Sequence, residues 1–184
     1  MISIKALVIL LASFSTQVPA SVGTLNDSLT DFASHSYLNG SLKLSSSQRK
    51  ELDCLTKVIW FEARGESKHG KILVANVVQN RMNFGKPFAT TVCGVVYQRS
   101  QFSWTLESKK KHARFKDVAK KHWKTEQKQI EDTISVAMNV ILFDAKPITE
   151  ATHFCTATER CSFKNVTKLG RYGNHKLYKY KGNS

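Results

Sequence analysis

The stretch 58-VIWFEARGESKHG-70 places one glutamate at the apolar end of a helix and another four residues later. At about 100° per residue, Glu62 falls between Leu55 and Val58 on the stripe that also holds Leu52 and Ile59. A carboxyl on a buried stripe loses hydration, and its pKa rises. Such a group holds a proton near neutral pH and can release it to a leaving oxygen. A Glu62 paired with Arg64 or a nearby lysine, in a satisfied core, fits the same position. Glu66 lies one turn on, past Gly65; it reads as a second carboxylate, a water-positioning group or a surface residue. The segment 101-QFSW-104 sets Gln101, Phe102, Ser103 and Trp104 side by side. Flat rings stack on sugar faces and amides bind hydroxyl or N-acetyl groups, although aromatics in a loop also serve packing. Asn76, Gln79 and Asn80 interrupt an apolar helix. They could orient Glu62 or bind a sugar, or Asn80 and Arg81 could simply close the helix end. His153 and His175 would face a cleft if their segments are strands, against the more common structural role of a lone histidine. No CxxC occurs and the histidines lack zinc-site spacing, so neither metal nor cofactor is expected.

These residues need elements to hold them. The spacing predicts helices over 47–64 and 68–83, the first capped by one of Ser45, Ser46 and Ser47 and stopped by Gly65. The second is apolar nearly all round, as a central core helix is. Gly85 and Pro87 mark a loop, and Thr90 or Thr91 can cap a short helix through Tyr97. Two more helices follow at 114–123 and 126–144, the latter with Ile130, Ile134, Ala137, Met138 and Ile141 in one stripe. Alternation in 151-ATHF-154 and 175-HKLYKY-180 predicts two paired strands.

Met1 to Lys5, the apolar run 6–14 and small residues near Ala20 have the layout of a secretory signal peptide over residues 1–20, and the run is short for a membrane span. Residues 21–47 read as a Ser-rich linker or loosely docked arm, and 48–184 as one domain. The expected location is therefore the periplasm, cell envelope or exterior. The formal charge is +14 over 184 residues, and +13 without Lys5. That surplus calls for an anionic partner or neighbourhood, such as a cell wall or membrane surface. Much of it lies in 109-KKKHARFKDVAKKHWK-124, which is also compatible with a solvated helical face. No recognition motif points to specific nucleic-acid binding. Cys54, Cys93, Cys155 and Cys161 allow two disulfides in three pairings, or buried thiols, and the last two are near enough in sequence to close a small loop.

The order EARGE, 78-VQNR-81, 94-GVVYQRSQFSW-104, 151-ATHF-154 and 173-GNHKLY-178 resembles the SleB-type cell-wall hydrolases, over roughly residues 50–180. The resemblance implies a small, mostly helical α+β domain akin to lysozyme-like lytic transglycosylases, with a short C-terminal β-hairpin. It implies action on peptidoglycan glycan strands, with Glu62 as catalytic acid; a monomer is expected. It further implies lytic transglycosylation of the MurNAc–GlcNAc β-1,4 bond. Tyr97, Gln101, Phe102, Ser103, Trp104, His153 and His175 would then contact the glycan, with Asn80 in support. Relatives tend to carry an aromatic or histidine where Cys155 stands, and Phe163 replaces a frequent tryptophan. A Cys155–Cys161 bridge is one way to rebuild that wall. A muramidase using water as nucleophile, and a non-catalytic basic wall-binding module, are the alternatives.

Overall fold

The computed structural model describes residues 22–182, so the expected leader at 1–20 lies outside the described residues. Six helices precede a three-stranded sheet: α1 Val22–Asn39, α2 Ser46–Ala63, α3 Lys68–Phe84, α4 Val92–Tyr97, α5 Ser108–His112, α6 Phe115–Ile141, β1 His153–Thr156, β2 Val166–Tyr172 and β3 His175–Tyr180. None of the described helices is long and apolar enough to cross a membrane.

Serine chemistry sets the start of α2. Ser45 Oγ accepts the Gln48 N–H at 3.1 Å, while the Gln48 side chain accepts the Ser45 N–H, a reciprocal capping box. Leu52, Leu55, Val58 and Ile59 are fully buried, as their spacing predicts. The helix stops at Ala63 without a left-handed glycine. Instead, Glu66 N–H donates to Ala63 O, and Ser67 caps α3 through the Gly70 N–H. Lys71, fully buried, donates from Nζ to the Arg64 and Glu66 carbonyls and to Gln129. A single cation thus satisfies the carbonyls of the turn that follows Glu62.

The core lies where α2, α3, α4 and α6 meet, and a Cys54–Cys93 disulfide joins α2 to α4. Asn76, Gln79, Asn80 and Arg81 form a ladder on one side of α3. Asn76 Oδ1 accepts the Ile148 N–H, and Gln79 donates to Ala145 O. Asn80 donates to Thr149 O and Ala151 O, and Arg81 Nε donates to Thr152 O at 2.6 Å. These polar groups fasten the irregular segment 145–152 to the helix and aim the chain into β1.

The sheet runs β1–β3–β2, antiparallel, with His153 opposite Tyr178 and Phe154 opposite Leu177. Leu177, Ala151, Leu73 and Val77 form a small second core between sheet and α3. The two expected strands do pair. The hairpin partner of β3 is β2, a third strand whose polar, mostly exposed residues carry no alternating signal. One other segment differs from expectation. Part of 21–47 is helical: α1 packs on α6 with Tyr37 buried. Its few apolar contacts, such as Ala33, Tyr37 and Leu38, are too sparse to leave a period. The two helices expected at 114–123 and 126–144 are present as the two halves of α6, divided at Glu126 by non-helical dihedrals (φ −133°, ψ 27°).

Candidate functional site

Glu62 sits in the last turn of α2, half-buried, at one side of a cleft of about 440 Å³. Arg81 of α3, the loop residues Ser100 to Ser103, the strand β1 and the turn after it complete the walls. The cleft therefore gathers Glu62, Gln101, Phe102, Ser103 and His153 from distant parts of the sequence, with Phe163 at its rim. Phe102 is buried and forms floor rather than wall; Ser103 is exposed. His153 and Phe163 meet tilted at 4.9 Å between ring centres, and Phe88 makes an edge contact with His153 at 5.8 Å. Burial, and then the Arg81 charge, push the His153 imidazole down to about 4, so it is neutral at physiological pH.

Of the remaining candidates only Trp104 reaches Glu62, with its indole N–H toward the carboxyl from beneath the cleft; the others are placed elsewhere. Asn80 spends its amide on two carbonyls, as above. Trp104 is buried against Phe61 and Tyr97. Tyr97 donates its hydroxyl to Lys111 O outside the cleft. His175 is buried against Phe154, on the α3 side of the sheet. Glu66 lies near His175 as well, in space left by two glycines: a Cβ on Gly70 would meet Glu66 Cβ at 2.7 Å, and one on Gly173 would meet its Oε2 at 3.4 Å. The two carboxylates of EARGE thus point into different surroundings.

Two charged groups line the cleft that the sequence does not assign to it. Glu159 follows β1 in the turn closed by the Cys155–Cys161 disulfide. Its carboxylate accepts the Thr156 N–H at 3.0 Å, which holds it below the usual carboxylate range. Arg81 is 4 % exposed and lies over both Phe88 and Phe102 at 5.5 Å, with Nη1 buried and unpartnered.

This setting explains the proton affinity of Glu62. Loss of hydration is the largest effect and the negative Glu159 adds to it; Arg81 and Trp104 oppose them. The carboxyl is pushed from 4.5 up to about 7. The Trp104 Nε1–H has no partner at hydrogen-bond geometry, so it favours the ionised Glu62 as an oriented dipole rather than through a formed bond. Glu62 is poised to carry a proton at neutral pH while Glu159 stays ionised. Two carboxyls driven apart by their environments are the usual basis for an acid and its charged counterpart. Among the described residues no cluster of His, Cys, Asp and Glu is placed to hold a metal ion.

The Cell Wall Hydrolase family model matches residues 65–178, well over half the chain. The chain belongs to the Cell Wall Hydrolase family. Neither the curated proteins nor the solved structures hold a match. The matched stretch of this cell wall hydrolase contains Arg81, the 101–104 loop, β1 and Glu159, and begins three residues after Glu62. Family membership supports a peptidoglycan-degrading function.

Proposed function

We propose that this cell wall hydrolase cleaves the β-1,4 bond between MurNAc and GlcNAc as a lytic transglycosylase, with Glu62 as acid and then base. The observation that carries the reading is the half-buried Glu62 carboxyl, protonated near neutrality, inside a cleft that offers an amide, a hydroxyl and aromatic surface. Protonated Glu62 gives its proton to the glycosidic oxygen as the C1–O bond breaks. The resulting carboxylate then takes the proton of the sugar's own 6-hydroxyl, whose oxygen closes on C1. The substrate supplies the nucleophile and no water is consumed. Arg81 favours the charged form of Glu62 that this second step needs.

A second reading has its own support. Glu159 is an ionised carboxylate in the same cleft, so it can stabilise positive charge at C1 or direct a water there. That would make the protein a muramidase-type hydrolase. Either reading places the protein outside the cytoplasm, in keeping with the leader-like residues 1–20 and with two disulfides.

Digestion of purified peptidoglycan by residues 21–184, beside Glu62→Gln, separates these readings when the released fragments are weighed by mass spectrometry. Fragments lighter by one water, absent with Glu62→Gln, identify the anhydro-forming route. Ordinary reducing ends make it a hydrolase and direct attention to Glu159. A folded protein that releases nothing from several wall types would sink both enzymatic readings and leave a wall-binding module.

A further inference from the structure

A second concavity of about 490 Å³ lies between the end of α2, α5 and the first half of α6. Arg64, Lys109, Lys110 and Lys121 surround it; half-buried Phe61 contributes apolar surface with Lys110 over its ring, while Trp60 is buried beneath Arg64. Two of the cations are partly committed: Lys110 to Glu107 at 2.6 Å, and Arg64 to Glu126 at 3.8 Å. Asp117, the one carboxylate on the rim, is already paired with Arg114 at 2.8 Å. Among the described residues, Lys109 and Lys121 have no ion-pair partner. Lysines that lack a partner repel each other unless solvent or an anion intervenes, and convergence on a concave wall sharpens the local potential.

Its position connects it to the cleft. Phe61 belongs to the pocket and packs, tilted by 35°, against Trp104 at 4.8 Å between ring centres. Trp104 is flanked by Ser103, which lines the cleft, and Phe61 directly precedes Glu62. The two sites are back to back across one ring pair. The backbone under the pocket is also fixed: Lys57 Nζ, itself buried, donates to the Lys111 and Ala113 carbonyls at 2.9 Å each. Lys109 and Lys110 are therefore presented on a pinned segment, and Lys121 on α6.

We propose that this pocket binds an oxyanion carried by the wall polymer, either a carboxylate of a peptide side arm or a phosphate of an attached anionic polymer, while the glycan strand occupies the Glu62 cleft. The source of the anion follows from the wall-cleaving reading; the pocket itself does not depend on it. Arg64 and Lys110 supply hydrogen-bond donors, Lys109 and Lys121 supply unpaired charge, and the accessible edge of Phe61 meets the aliphatic part of the anion's carrier.

The test is co-sedimentation of full-chain Glu62→Gln protein with purified walls, which reads binding without turnover. On that background, Lys109→Gln with Lys121→Gln removes the two free charges. Lys116→Gln with Lys120→Gln removes the same charge from the separate cavity beside Trp123. The first pair should weaken binding about five-fold, from two partly exposed charge contacts of ordinary strength, and the second less than about two-fold. The gap should close on walls whose carboxyls have been amidated if the peptide is the source. It should close on walls stripped of phosphate polymer if that polymer is. Equal losses for the two pairs would mean a general charge effect and overturn the proposal, as would a gap that persists on walls lacking both anions. Duplex DNA that loses more affinity than walls through Lys109 and Lys121 would assign the pocket to nucleic acid and also overturn it. If intact protein cuts no wall but the gap is present, the catalytic reading falls and the pocket stands.

Discussion

Replacing Glu62 by Gln should stabilise the protein as well as silence it, and the stabilisation should depend on pH in a defined way. The folded protein holds the Glu62 proton up to about 7, whereas the reference value is 4.5. Between those values the unfolded chain releases its proton and the folded one keeps it, so the unfolded state binds fewer protons and stability falls as pH rises. At about 1.4 kcal/mol per tenfold change in proton affinity, the full loss is about 3 kcal/mol. Water in the open cleft screens the charge, which leaves an expected loss of about 2 kcal/mol. Gln has the shape of the protonated carboxyl and never ionises, so the variant escapes this loss. Wild type and Glu62→Gln should melt together near pH 4. The variant should gain steadily to pH 7 and hold a constant lead above it, about 4–8 °C for a domain of this size. Thermal unfolding of both proteins at half-unit steps from pH 4 to 8 measures this. A melting difference that is flat across the range, or a variant that loses ground as pH rises, would refute the claim that burial and Glu159 force a proton onto Glu62.

Since only the protonated acid starts the reaction, wall cleavage should decline as pH rises through about 7. Glu159→Gln should move that limb to lower pH and Arg81→Gln to higher pH, because the first removes a repelling charge and the second an attracting one; pH profiles of kcat/KM on soluble glycan chains decide it. Opening the Cys54–Cys93 bridge by a double change to Ala should cost about 4 kcal/mol in denaturant titrations, from the entropy of the 39-residue separation it closes. Lys71→Met should cost about 2–3 kcal/mol by leaving the Arg64 and Glu66 carbonyls without their donor. It should also speed tryptic cutting at Arg64, and unchanged cutting would mean the turn is held by other means.

Much of the frame was readable from local rules. Serine caps and apolar spacing place α2 and α3, and the stripe through Leu55 and Val58 puts Glu62 at the boundary between core and cleft, where its proton affinity rises. The break at Glu126 falls where the pattern of two helices divides. What local rules miss is set by tertiary contact. Glu159 occupies an ordinary polar turn, and only the pairing of β1 with β3 and the docking of the sheet on α3 bring it toward Glu62. Arg81 belongs to 78-VQNR-81 and is equally compatible with closing the helix end, because nothing in sequence distinguishes a cation that will be buried. Trp104 and Tyr97 have the composition of a sugar platform, but Phe61 and Lys111 claim them. Asn80 looked available for a ligand until the carbonyls of 149 and 151 took its amide; a polar side chain on a core helix is as well suited to fastening a loop as to binding.

The break in α6 also divides what the helix must encode. In an unbroken helix, a residue at one end fixes the rotational phase of every residue after it, so the two ends share one constraint. Glu126 releases that link while its side chain meets His122 and Arg64, anchoring the break to α2. The first half, with Lys116, Lys120, Lys121 and Lys124, can gain or lose charge without turning Ile130, Ile134 and Met138 out of the core. Surface charge before the break and the Ile130–Met138 core stripe after it can therefore vary independently, with Phe115 and Ala119 keeping the first half seated.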